Sequence, residues 1–324
     1  MSFFQRVIFI FIIVSIFASS AFSQTSWVPN KVKASGDLIT VYFTSSDKGW
    51  IAGDDGYLAS TIDGGRNWKK KDIGTTESIN EIYFRNDDNG YLVAGKKMFI
   101  TKDGGENWRE TRIYRLNDFP NGSPEFLSIR FANKKRGIVI GSILDRKGEN
   151  VVDSLVMRTE DGGESWVRVT VPSKTELYHL DFVGDNYCWI VGDGGLILAS
   201  TDGGASFVKQ KSGTDKDLYN VDFRDEKEGY AVGSKGTILR TEDGGNFWRS
   251  VRTSFASTFM RVDFADDKNG WIVGYDGTIL RSNDKGKSWV KQESRTVDRL
   301  YGLYMTKKYG YAVGGNGVIL QYQK

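Results

Sequence analysis

The chain has 324 residues, 39% of them hydrophobic, which is enough to bury a full core and excludes a disordered or collagen-like chain. Thirty-eight Gly against four Pro, with nine Trp, nineteen Phe and fifteen Tyr, describe many short strands joined by tight turns and argue against a helical class. A net charge of +3 gives no concentrated basic groove for nucleic acid, and the single cysteine, Cys188, excludes an intramolecular disulfide or a cysteine-based metal cluster.

In chain order, Arg6 precedes an apolar run from about Val7 to Ala18, and Ala21 and Ser23 then stand where a signal peptidase reads small residues. The run is shorter than the ~20 residues that span a bilayer. Residues 1–23 therefore read as a signal peptide and residues 24–324 as one exported domain, periplasmic or extracellular after cleavage near Ser23. No cysteine lies at the cleavage site to carry a lipid.

From Gly49 the chain repeats itself. The unit Gly-Tyr-Ala-Val-Gly-Ser-Lys-Gly-Thr-Ile-Leu-Arg-Thr-Glu-Asp-Gly-Gly-Asn-Phe-Trp, starting at Gly229, returns almost unchanged at Gly270, and its start recurs at Gly49, Gly90, Gly137, Cys188 and Gly310. Each copy holds four short runs, as in 218–223, 230–233, 237–241 and 247–251, separated by turn residues. Four strands in ~40 residues, apolar on both faces, are the mark of a propeller blade. The fold class is thus all-β: a seven-bladed β-propeller with four antiparallel strands per blade.

The third turn of six copies carries Ser/Thr-x-Asp-x-Gly with an aromatic residue three positions later, placing Asp63, Asp103, Asp161, Asp202, Asp243 and Asp284 at the same corner of each blade. A carboxylate there can accept backbone N–H groups across the turn while the ring covers it, so these six aspartates read as structural. The seventh copy stops after its third strand. Ser26-Trp27-Val28 repeats the pattern of Ser288-Trp289-Val290, so the mature N-terminus supplies the missing outer strand and closes the ring.

These boxes resemble the Asp-box, or bacterial neuraminidase, repeats of sialidases and sortilin-type receptors. The longer unit is more similar to the photosystem II assembly and stability factor propellers and their relatives in non-photosynthetic bacteria. The resemblance covers residues 26–324. It implies an assembly-factor-like role, with another protein, an envelope or membrane protein among the candidates, as the partner of a monomer that has no enzymatic activity, cofactor or metal. A carbohydrate-binding or glycosidase role, with a glycan as ligand, is the alternative, but the Arg-Ile-Pro motif of sialidases is missing.

Two places are candidates for binding. Aligned inner strands put Glu81, His179 and Arg261 at their third positions and Arg130, Asp181, Asp222 and Asp263 at their fifth, so Glu81, Arg130, His179 and Arg261 form a candidate axial site. The spacing between box aspartates is 40 or 41 residues except from Asp103 to Asp161, where it is 58. The extra residues fall in two stretches, 112–125 and 142–156, which read as loops on the top of blade 3. There Arg109, Arg112, Arg115, Asp118, Phe119, Arg146 and Lys147 form the second candidate, with Phe119 as an exposed aromatic anchor. Lys69–Lys71, Arg109, Lys209, Arg249 and Lys291 are read as part of a basic top face.

Overall fold

A computed structural model describes residues 26–323 apart from 121; the signal peptide expected at 1–23 lies outside the described residues. Seven four-stranded antiparallel sheets follow one another around an axis, with inner strands at Leu38–Phe43, Ile79–Phe84, Gly122–Phe131, Leu177–Val183, Leu218–Phe223, Phe259–Phe264 and Leu300–Met305. The sheets are numbered as blades 1 to 7 in that order. Within each blade the chain runs outward strand by strand, so inner strands face the axis and the Asp boxes precede the outermost strands. Blade 7 is completed by Ser26–Lys31, which pairs with Val318–Gln323 from Ser26 opposite Gln323 to Lys31 opposite Val318. Seven blades, four strands in each and closure by the N-terminal strand are therefore as the repeat predicts.

Each blade is apolar on both faces because its neighbours cover both. The core is a series of clusters between adjacent blades, such as Leu218, Val221, Trp189, Val191 and Leu239 between blades 4 and 5. An aromatic staple repeats at these joints. The second-strand aromatic of one blade stacks on the Phe that ends the next blade's inner strand: Trp50 on Phe84 at 4.1 Å, Tyr91 on Phe131 at 4.2 Å, Tyr230 on Phe264 at 4.1 Å. Tyr311 on Phe43 at 4.1 Å carries the same contact across the junction of blades 7 and 1. The box Trp of the second blade meets that Phe edge-on, as Trp248 meets Phe223 at 5.7 Å. Such geometries suit the quadrupoles of the rings.

The boxes themselves are self-contained turns. In blade 5 the buried Thr241 hydroxyl donates to Asp243 Oδ1 at 2.8 Å and accepts the Gly245 N–H at 2.9 Å, while Asp243 Oδ1 accepts the Phe247 N–H at 2.9 Å. Gly244 and Gly245 turn with φ of +73° and +87°, a region that side chains with a Cβ rarely adopt. The same bonds recur at Asp63, Asp103, Asp161, Asp202 and Asp284, with the accepted N–H from Asn67, Asn107, Ser165, Ser206 and Ser288. Backbone donation from Asn67, then its side chain and Thr61, holds Asp63 at about 2; Asp103 and Asp161 lie at about 2 through the same kind of bonds.

Blade 3 departs from the expected picture. The extra residues form strand as well as loop: its first three strands run Gly122–Phe131, Gly137–Asp145 and Val151–Thr159, longer than in any other blade. Their hydrogen-bond register continues to Gly122 opposite Asp145 and Leu144 opposite Val151. Of the two extra stretches, the tip 146–150 and the connection 112–120 lie outside the strands among the described residues. Apolar residues such as Ile143 and Leu144 continue the strand, and pairing their backbone groups is cheaper than leaving them unpaired.

Candidate functional site

The axial channel is built by one register feature repeated seven times. Every inner strand carries an irregularity between its first and third core positions, as between Leu177 and His179. At three of the seven third positions a polar side-chain atom then clasps the next inner strand. Thr40 accepts the Ile82 N–H at 3.5 Å, Glu81 that of Ile129 at 2.9 Å and Asn220 that of Val262 at 3.0 Å. At the fifth position Asp181 accepts the Phe223 N–H at 2.7 Å, Asp222 that of Phe264 at 3.2 Å and Asp263 that of Met305 at 2.7 Å. These side chains bind blade to blade around the axis.

Within that ring lies a charged cluster. Glu81 is buried; its Oε2 accepts bonds from Ser128 Oγ at 2.5 Å and Ile129 N, and its Oε1 pairs with Arg130 at 2.9 Å. Arg130 reaches from the fifth position of blade 3 back to blade 2 and forward to blade 4, donating from Nη2 to His179 Nε2 at 3.1 Å. Its guanidinium lies 5.2 Å from the Tyr83 ring centroid. Arg261, on the far side, approaches Glu81 only to 3.7 Å and makes no hydrogen bond among the described residues. The four residues line a cavity of about 200 Å³ together with the three aspartates.

The electrostatics follow from burial against pairing. Burial alone would raise Glu81, but the positive charges of Arg130 and Arg261 outweigh it and hold the carboxyl well below its ordinary range. Burial, reinforced by the positive charge of Arg261, lowers His179 to about 3, so it is a neutral imidazole. Nε2 faces Arg130 at 3.1 Å, and Nδ1 is buried without a partner among the described residues. Burial raises Asp181 to about 6 and, with the charge of Asp181 nearby, Asp263 to about 7; Asp222 rises for the same reasons. No group of His, Cys, Asp and Glu able to hold a metal occurs among the described residues.

The sequence profile of the family described as "Photosynthesis system II assembly factor YCF48" matches residues 19–113, 66–174, 207–291 and 252–323. The chain belongs to this family. The "Photosystem II assembly lipoprotein Ycf48" of Synechococcus sp. (strain CC9902) is 26% identical over 148 residues, 44% of this chain and 40% of that relative's length. Two solved structures share the fold at 18% identity and a TM-score of 0.73 each. "YCF48 bound to D1 peptide" aligns with 92% of this chain and 95% of its own, and "YCF48 from Cyanidioschyzon merolae" with 92% and 98%. The Ycf48 profile leaves out 175–206, the stretch that carries His179 and Asp181.

The second candidate of the sequence is rearranged. Phe119 is not an exposed anchor: it is 6% exposed and packs with Ile113, Phe126 and Ile143 between blades 2 and 3. The polar residues around it form a short turn at Leu116–Asp118, in which Asp118 accepts the Arg115 N–H at 2.7 Å, and this turn delivers the ring inward. Arg112, Arg115 and Asp118 stay exposed near it, and Arg146 and Lys147 are exposed at the hairpin tip, which Arg146 ties to the connection by donating to the Pro120 carbonyl at 3.1 Å. Arg109 is also elsewhere. With Lys69, Lys70, Lys209, Arg249 and Lys291 it lies exposed on an outermost strand, so this basic set belts the circumference and does not cover the top. The edge of each blade there is a short strand with free backbone groups, which charged side chains protect from pairing. Sequence reading missed Ser128 as the partner of Glu81, although its place at the third position marks it as an axial residue.

Proposed function

We propose that this protein is an exported, non-enzymatic scaffold that holds a segment of another protein over the axial channel, in the manner of an assembly factor. One observation carries the reading: two half-buried arginines share the Glu81 carboxylate, and Arg261 is left without a hydrogen bond among the described residues in a channel that solvent reaches, with 17% of its side chain exposed. A guanidinium so placed suits a carboxylate or backbone carbonyl brought by a partner. Tyr178 and Tyr219, at the irregular second positions of neighbouring inner strands and 5.1 Å apart, offer aromatic surface beside the channel. The D1 peptide named with one relative supports a peptide as the class of ligand.

Catalysis by the channel carboxylates is the weaker reading. Asp181, Asp222 and Asp263 are each spent on a backbone N–H of the next blade, and Glu81 is locked ionised among cations. The test is a peptide array, a glycan array and chromogenic glycosides with wild-type protein and Arg261→Gln. Peptide capture that falls at least tenfold in the variant supports the proposal. Glycoside turnover, or glycan binding without peptide binding, overturns it.

A further inference from the structure

Away from the channel, the circumference carries a groove. Between blades 2 and 3 the connection 112–119 and the outer part of blade 3 enclose a groove of about 600 Å³. Its floor is apolar: Ile113, Phe119 and Met157 are all buried. One wall is Trp166, fixed by its Nε1 donating to the Gly163 carbonyl at 3.1 Å, and beside it Val167 is 62% exposed. Arg168 is also held in place, bonded to Asp153 at 2.6 Å with its guanidinium 5.7 Å from the Phe119 centroid.

The rim is cationic and unused. Arg112 and Arg115 are exposed, and neither guanidinium has an ion pair or hydrogen bond among the described residues. Asp118, a carboxylate of the groove lining, is turned onto the Arg115 backbone N–H. An apolar slot of this volume with a rigid aromatic wall and two free arginines matches one kind of partner. We propose that this groove docks an extended acidic peptide segment of a partner protein, one large apolar side chain entering against Trp166 and Phe119 while flanking carboxylates pair with Arg112 and Arg115. It is a site separate from the axial channel, and a partner engaging both would gain affinity by linkage without any new contact.

The experiment is fluorescence anisotropy of a labelled peptide with a central phenylalanine flanked by aspartate and glutamate, against a lysine-flanked counterpart. Wild-type protein is expected to bind the acidic peptide and not the basic one, more weakly as salt rises. Arg112→Glu with Arg115→Glu should weaken binding at least tenfold with an unchanged melting temperature, since both side chains are exposed. Val167→Asp should weaken it through the wall, and Arg261→Gln should leave it intact. Equal binding of the two peptides, or undiminished binding by the double variant, overturns the groove. Loss of binding with Arg261→Gln and not with the double variant overturns it too, by placing the peptide in the channel.

Discussion

The outer corners and the axial channel both use side chains at fixed places in the repeat, yet they are built on opposite rules. At the corners one solution is copied: six aspartates make the same bonds to their own turns, within four residues of themselves. At the axis the same position holds Thr40, Glu81, Ser128, His179, Asn220, Arg261 and Gly302, and each bond crosses to another blade. Copying marks what every blade needs in order to fold. Variation at an equivalent place marks what the whole ring does once.

The largest effect should come from the one blade that has no box. Trp27 takes the place of a box Trp there: it is fully buried, and its Nε1 donates to Gln292 Oε1 at 3.0 Å as Trp248 donates to Gln210 at 3.1 Å. Removing residues 26–31 should cost at least the ~3–5 kcal/mol of a buried Trp, a large part of the ~5–15 kcal/mol a domain has. Melting at the wild-type temperature would show that the ring does not depend on this closure.

Glu81→Gln tests the axis. It leaves two half-buried arginines without the carboxylate they share and should cost up to about 3–5 kcal/mol. Glu81 titrates below its ordinary value when folded, so its contribution is present above the unfolded pKa of about 4.3 and fades as the pH falls through the folded one. The gap between wild type and variant should therefore narrow toward pH 3, read from melting curves at pH 7 and pH 3. A gap that widens in acid would contradict the charge cluster.

Asp263→Asn should act in the opposite sense. Burial and the neighbouring Asp181 raise Asp263 to about 7, so its contribution is full below about pH 4 and is lost as the pH rises through about 7. Asparagine keeps an acceptor for the Met305 N–H and removes the charge. The variant should be more stable than wild type by about 1–2 kcal/mol at pH 8 and no more stable at pH 4.

The smallest effect belongs to a single corner. Asp243→Ala frees one exposed turn, whose N–H groups water can solvate, and should cost about 1 kcal/mol with peptide capture unaltered. Lost capture at full stability would give the boxes a functional role and erase the contrast with the axis.

The sequence by itself determined what periodicity and local chemistry can carry. Seven copies gave seven blades, the box motif gave corners that close on themselves, and the likeness of Ser26-Trp27-Val28 to Ser288-Trp289-Val290 gave the closing strand. The strand period of two also placed Glu81, His179 and Arg261 along the axis. Tertiary structure alone decided whatever depends on distance between blades. Arg130 is one of seven fifth positions until its length and the ring's curvature bring it to both Glu81 and His179. Phe119 reads as exposed because its neighbours are polar, but those neighbours cap a turn and the ring finds the cleft between two blades. The groove above it joins residues some fifty positions apart, Arg112 with Trp166 and Arg115 with Arg168. No local pattern encodes such a meeting, because it is set by how far one blade is rotated from the next.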